Sequence, residues 1–205
     1  MHTRLTVRWG QHFTAAMDEL RRDAWLAGRA GAAIDEFDAV SYHLLVAIAA
    51  APVGLVRTTL GPRSVLHAWS GGRSPLPRGE TVAELTRGVV APTVRRLGIY
   101  RLAMLESLLR LRALGATVAT AAVEPDFVGR RFLAGLGFLE IERPIPMDDR
   151  PRRGTIVQCL MLPLDAWREA SWSAARQTLI QRITESGYHV DSDLASWTEA
   201  RAALA

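Results

Sequence analysis

One strand-like run, Ala83-Glu84-Leu85-Thr86-Arg87-Gly88-Val89-Val90, sets a carboxylate, a hydroxyl and a guanidinium within four residues of otherwise apolar chain. A glutamate in such a run must face solvent, a partner or a site, because burying an unpaired carboxylate is costly. Strict alternation puts Glu84 and Thr86 on one face and Arg87 on the other. A bulge, which Gly88 would permit, brings them closer, and bulges are enriched beside active sites. Read alone, the segment equally describes a half-exposed edge strand.

Three further features carry charge where the surroundings are apolar or constrained. Asp35-Glu36-Phe37-Asp38 is an acidic loop, otherwise explained as turn or cap residues. Arg57 sits in the apolar run Gly54-Leu55-Val56-Arg57-Thr58-Thr59 and calls for a buried or semi-buried carboxylate. Arg21 and Arg22 lie on an early helix with Trp25 one turn beyond Arg21, where solvated helix arginines are the plainer reading.

Composition narrows the chemistry. The 205 residues are 49% hydrophobic and 22% charged, the proportions of a soluble domain with a sizeable core. All twenty-five basic residues are arginine. With no lysine amine, Schiff-base, pyridoxal-phosphate and phosphate-loop NTPase chemistry are excluded. The five histidines are scattered without ligand spacing, so no metal site is expected. The single cysteine, Cys159, cannot form an internal disulfide and suggests a reducing, cytoplasmic setting. The longest apolar stretch, ten residues from Leu44 to Val53, is too short for a membrane span. A net charge of +4 suits an acidic or phosphorylated partner. The arginines are spread among acids, however, without the aromatic-interleaved run of a nucleic-acid binder.

The elements that must position these residues follow from periodicity. We expect a strand at Leu5–Trp9, a helix over Gln11–Arg29, and a hairpin of Tyr42–Ala50 and Val53–Leu60 split at Ala51-Pro52. Gly61–Gly79 reads as a loop, Thr81–Val90 as a strand and Thr93–Ala113 as a helix with leucines on one flank and a Glu106/Arg110 pair on the other. A central strand at Thr117–Val123, a short helix over Pro125–Leu136 and strands near Phe138–Glu142 and Ile156–Leu162 complete the sheet. The fold class is α/β, a mixed sheet of about seven strands flanked by helices, spanning residues 1–162. Residues 163–205 read as a helical extension packed on that body or on a second copy in a homodimer. Trp172, Ala175, Leu179 and Ile183 mark its first helix, and Asp191-Ser192-Asp193 caps a second bearing Leu194 and Trp197.

Taken in order, Arg21, Trp25, Asp35-x-x-Asp38, Gly54-x-x-Arg57 and Glu84-x-Thr86-Arg87 resemble the acyl-homoserine-lactone synthases, the autoinducer synthases of bacterial quorum sensing. Trp69 stands where that family has an aromatic residue in a long loop. Departures are Thr86 in place of serine, Thr58-Thr59-Leu60 in place of leucine-proline-threonine, and a missing tryptophan before the acids. The wider superfamily is the GNAT acyltransferases, whose pyrophosphate loop corresponds to Arg95-Arg96-Leu97-Gly98-Ile99-Tyr100, with Tyr100 where a small residue is usual.

The resemblance implies a GNAT-like fold and transfer of a fatty acyl group from an acyl-carrier-protein or CoA thioester to the amine of S-adenosylmethionine. It implies these substrates and no resident cofactor. Glu84 and Arg87 would carry catalysis, with Glu84 as general base and a backbone N–H near Gly88 facing the oxyanion. Arg21, Trp25, Asp35, Asp38, Arg57, Trp69 and Thr86 would bind the amine substrate. Leu85, Val89, Met104 and Val118 would line the acyl pocket, and Arg150, Arg152 and Arg153 would receive an acidic carrier protein. The rival readings are an N-acyl amino acid synthase, a generic GNAT N-acetyltransferase using acetyl-CoA, and a non-catalytic interaction domain.

Overall fold

The computed structural model describes residues 2–25, 34–124, 129–147 and 155–194. Eight strands form one sheet: β1 (Thr3–Gly10), β2 (Tyr42–Ile48), β3 (Ala51–Leu60), β4 (Val82–Val90), β5 (Val118–Val123), β6 (Leu139–Pro146), β7 (Ile156–Pro163) and β8 (Tyr188–Ser192). Their order is β6-β7-β5-β4-β3-β2-β1-β8. The pairs β4–β5 and β1–β8 are parallel and the rest antiparallel. Among the described residues five α-helices accompany them: α1 (Ala15–Trp25), α2 (Val65–Trp69), α3 (Ile99–Ala113), α4 (Arg130–Leu136) and α5 (Ala166–Glu185).

The core explains the layering. Leu102, Leu105, Leu108 and Leu111 of α3 are fully buried, and so are Glu106, Ser107 and Arg110 on its other side. α3 is therefore sandwiched between the sheet and α5, whose Trp172, Leu179 and Ile183 join the same cluster. On the opposite face of the sheet, Met17 and Leu20 of α1 pack on Leu55 and Val89. Val65, Leu66 and Trp69 of α2 pack with Phe37, Met147, Val157 and Cys159. Gly54 lets β3 approach α3 closely: a Cβ there would lie 2.7 Å from Ile99 Cγ2.

Several expected boundaries move, each for a local reason. The hairpin turns at Ala49-Ala50, both in the left-handed region (φ 47° and 71°), and β3 already contains Pro52. The long helix expected from Thr93 instead begins at Ile99, after a 3₁₀ turn at Pro92–Val94. Positive φ at Arg96 (77°) and Gly98 (81°) separates the two. The Gly61–Gly79 loop contains α2, capped by the Ser64 side chain, which accepts the His67 N–H. The expected cap at Asp191-Ser192 lies instead in β8, because residues 188–192 extend the sheet beside β1 and make it eight strands. The Glu106/Arg110 pair, on the flank away from the leucines, is wholly buried because α5 and β8 cover it. Residues 195–205, including Trp197, and the Arg150, Arg152 and Arg153 patch lie outside the described residues.

Candidate active site

The site is built at the centre of β4. Opposite β3, Leu55 pairs with Val89 and Arg57 with Thr86, so Arg87 and Gly88 together oppose Val56 alone. That is a β-bulge, with Arg87 at φ 51°. The extra residue reverses the alternation expected for a regular strand. Arg87 turns to the face shared by Glu84 and Thr86, while Gly88 turns toward α3, where a Cβ would lie 2.6 Å from the Tyr100 ring. The bulge also marks where β4 leaves β5. The two strands pair only from Val82/Val118 to Leu85/Ala121. Beyond that point a cavity of about 410 Å³ opens between them. β4 contributes Glu84, Leu85, Thr86, Arg87 and Gly88 to its walls, and the end of β5 with the residue after it contributes residues 121–124.

On the α1 side of the bulge lies a network of five charges. Arg21 Nη1 donates to Asp38 Oδ1 at 2.7 Å. Arg57 Nη1 donates to Asp35 Oδ1 at 2.5 Å and to Asp38 Oδ1 at 3.2 Å, while its Nε donates to Thr86 Oγ1 at 2.9 Å. Arg87 Nη2 donates to Asp35 Oδ2 at 2.6 Å. Arg21 and Arg57 are completely buried, which is tolerable only because each has a carboxylate partner. The acids are set by their own turn. The Asp35 N–H donates to Asp38 Oδ2, the Phe37 N–H to Asp35 Oδ1, and His43 Nε2–H to the Asp38 carbonyl. Trp69 flanks the cations, with Arg87 5.4 Å and Arg57 5.9 Å from its ring centre.

Electrostatics follow from this packing. Burial alone would raise the Asp38 carboxyl, but Arg21 and Arg57 outweigh it and hold Asp38 below the ordinary carboxylate range. Burial lowers Arg21 to about 10, with Asp38 opposing the shift. Glu84 is pushed up by burial, against the Ser64 and Leu66 hydrogen bonds and the charge of Arg57. Only 3% exposed, it accepts Ser64 Oγ–H on Oε2 and the Leu66 N–H on Oε1, each at 2.8 Å.

The structure thus gathers Arg21, Asp35, Asp38, Arg57, Thr86, Arg87 and Trp69 into one cluster and places Glu84 beside it on the cavity wall. Trp25 ends α1, and its side chain lies outside the described residues; its neighbour Ala24 lines the cavity. Leu85 and Met104 line the cavity, whereas Val89 packs on α1 and Val118 pairs with Val82 and Pro163 away from it. The bulge before Val89 turns it to the α1 face, and β5 diverges from β4 only after Ala121, beyond Val118. Tyr100, Leu133, Met147 and Val157 line the cavity unforeseen. They come from α3, α4 and the β6–β7 pair, and nothing in local sequence ties them to β4.

No family model matches this chain, and no curated protein matches it. Solved structures do. The acyl-homoserine-lactone synthase LasI aligns over 84% of this chain and 95% of its own, at 15% identity and a TM-score of 0.63. The CoA-dependent acyl-homoserine lactone synthase BjaI, solved with SAM and isopentyl-CoA, aligns over 97% and 99%, at 13% identity and a TM-score of 0.62. A putative N-acetyltransferase from Lactobacillus plantarum aligns over 79% and 99%, at 14% identity and 0.58. The fold is GNAT-like. This GNAT-like chain shares its overall fold with acyl-homoserine-lactone synthases and an acetyltransferase alike.

Proposed function

We propose that this protein is an N-acyltransferase that moves a fatty acyl group from a thioester, carried by acyl-carrier protein or CoA, to the amine of S-adenosylmethionine. The observation that carries this reading is the juxtaposition at the β4 bulge. A buried, hydrogen-bonded glutamate stands on one wall of a cleft that also carries Leu85, Met104 and Leu133, and a five-charge network abuts it. The cleft between β4 and β5 takes the acyl chain against Leu85, Met104 and Leu133. The amine enters from the side of the network, where the adenosyl group meets Trp69 and the end of α1.

Attack of the amine nitrogen on the thioester carbonyl forms the C–N bond. Glu84 takes the nitrogen's proton, directly or through water. The oxyanion faces backbone N–H groups beside the bulge, a contribution of about 3–4 kcal/mol in comparable sites. Collapse expels the thiolate. Closure of the lactone, with the carboxylate oxygen attacking the carbon bound to sulfonium, then releases methylthioadenosine. The product is an N-acyl-homoserine lactone. The enzyme acts as a base-catalysed scaffold and needs no resident cofactor.

The test is mass spectrometry of organic extracts from cells expressing the wild type beside Glu84→Gln. Acyl-homoserine lactones from the wild type alone are the expected result. N-acyl amino acids would keep the site and change the amine. Acetyl transfer from acetyl-CoA, with no affinity for S-adenosylmethionine, would move the protein to the generic acetyltransferases.

A further inference from the structure

The segment between β3 and β4, read from the sequence as a loop, places a side-chain hydroxyl directly on Glu84. Ser64 caps α2, accepting the His67 N–H at 3.1 Å, and its hydroxyl donates to Glu84 Oε2 at 2.8 Å. The Leu66 N–H donates to the other oxygen, Oε1. These two donors differ chemically. An amide N–H can only donate, so it keeps Oε1 as an acceptor and directs any incoming proton to Oε2. A hydroxyl both donates and accepts, so Ser64 can turn and receive the proton on Oε2 without losing the contact. Ser64 is also partly exposed, whereas Glu84 is almost wholly buried.

We propose that Ser64 is a positioning residue of this site: it orients the Glu84 carboxylate on the cleft wall and is the route by which the proton gathered on Oε2 leaves for solvent. The inference rests on the reading of Glu84 as the base. The proton count closes. The amine proton bonds to Oε2, Oε2–H then donates to Ser64 Oγ, the serine proton passes to water, and Oε2 returns to the carboxylate. Arg87 on β4 and Glu124 just beyond β5 line the same cavity, and the charge of Arg57 on β3 acts on Glu84. Ser64 bonds it directly, as the Leu66 N–H does, and its hydroxyl holds the ionised form down in pKa against burial.

The experiment titrates Glu84 by infrared carboxyl absorption, or by NMR of carboxyl-labelled glutamate, in the wild type, Ser64→Ala, Ser64→Gly and Ser64→Thr. The pH profile of acyl transfer is measured in parallel. Glycine keeps an acceptable helix cap but removes the hydroxyl, so it separates capping from the bond to Glu84. In Ala and Gly we expect the Glu84 midpoint to rise by about one unit, as loss of a hydrogen bond to a charged group dictates. The acidic limb of kcat/KM should rise with it, kcat should fall roughly tenfold, and KM for the thioester should hold. Thr should restore all of these. An unmoved midpoint, or Thr as impaired as Ala and Gly, overturns the proposal. The spectroscopic arm reads the Ser64–Glu84 coupling without turnover. A shifted midpoint in a protein inactive on every thioester would therefore sink the acyltransferase reading, and with it the proton route, while keeping the coupling.

Discussion

At the scale of single residues the site is a problem of charge balance. Asp38 is the hub, accepting Arg21 and Arg57 while its backbone carbonyl takes His43. Asp38→Asn removes the charge that makes two buried guanidinium groups tolerable. It should destabilise the fold by about 3–5 kcal/mol and weaken amine binding, measured by thermal melting and isothermal titration. Wild-type melting and affinity in that variant would reduce the acids to loop residues. The pH dependence has a definite sign. Because the folded Asp38 carboxyl lies below its ordinary value, its contribution is full above the unfolded pKa of about 3.9. It fades as the pH falls through the depressed folded value. Glu84 runs the other way. A base must be ionised, and burial raises its pKa, so the acidic limb of acyl transfer should lie above the ordinary glutamate range. In Glu84→Gln, turnover should drop by about 10²-fold or more with folding intact. Unchanged turnover would remove Glu84 from the chemistry.

At the scale of elements the bulge is the device. It turns Arg87 onto the face of Glu84, and it lies where β4 parts from β5. Gly88 belongs to that geometry because a Cβ would meet Tyr100 Cε2 at 2.6 Å. Gly88→Ala should therefore cost about 1–3 kcal/mol by overpacking and narrow the cleft mouth. Adding Tyr100→Leu should recover melting temperature and part of the turnover. If Gly88→Ala is silent in both assays, the close approach has no consequence. The sequence pointed to a bulge through Gly88 but not to its effect, since one inserted residue changes the face of every side chain beyond it. α2 escaped for a related reason: a five-residue helix among glycines and prolines is too short to show periodicity, and only the Ser64 cap could have marked it.

At the scale of the whole molecule, α5 and β8 close the structure over α3. Glu106 accepts Arg110, Arg176 Nε (2.5 Å) and Ser192 (2.9 Å), and Arg110 also reaches Asp193. This second ion network fastens the last strand to the central helix. Glu106→Ala would leave Arg110 buried beside a cavity. Calorimetry should register a loss of about 3–5 kcal/mol, with KM for both substrates nearly unchanged because the network lies across the sheet from the acids. An equal loss of stability and substrate affinity would show instead that the tail shapes the site.

What the sequence determined by itself is the set of elements with strong periodicity, the GNAT-like class and the identity of the charged residues, because an arginine or glutamate in an apolar run demands a partner wherever the chain runs. Arg57 was legible as needing a carboxylate on that ground alone; Asp35 and Asp38 were not legible as its partners, because an acidic loop reads equally as turn or cap residues. Tertiary structure decided which face Arg87 takes, that Val89 and Val118 stand away from the cavity, that Glu106 and Arg110 are interior, and that residues 188–192 form a strand. Each depends on where a neighbouring element lands. A bulge, a diverging strand or a covering helix is fixed by contacts between segments far apart in the chain, and no local spacing carries that information.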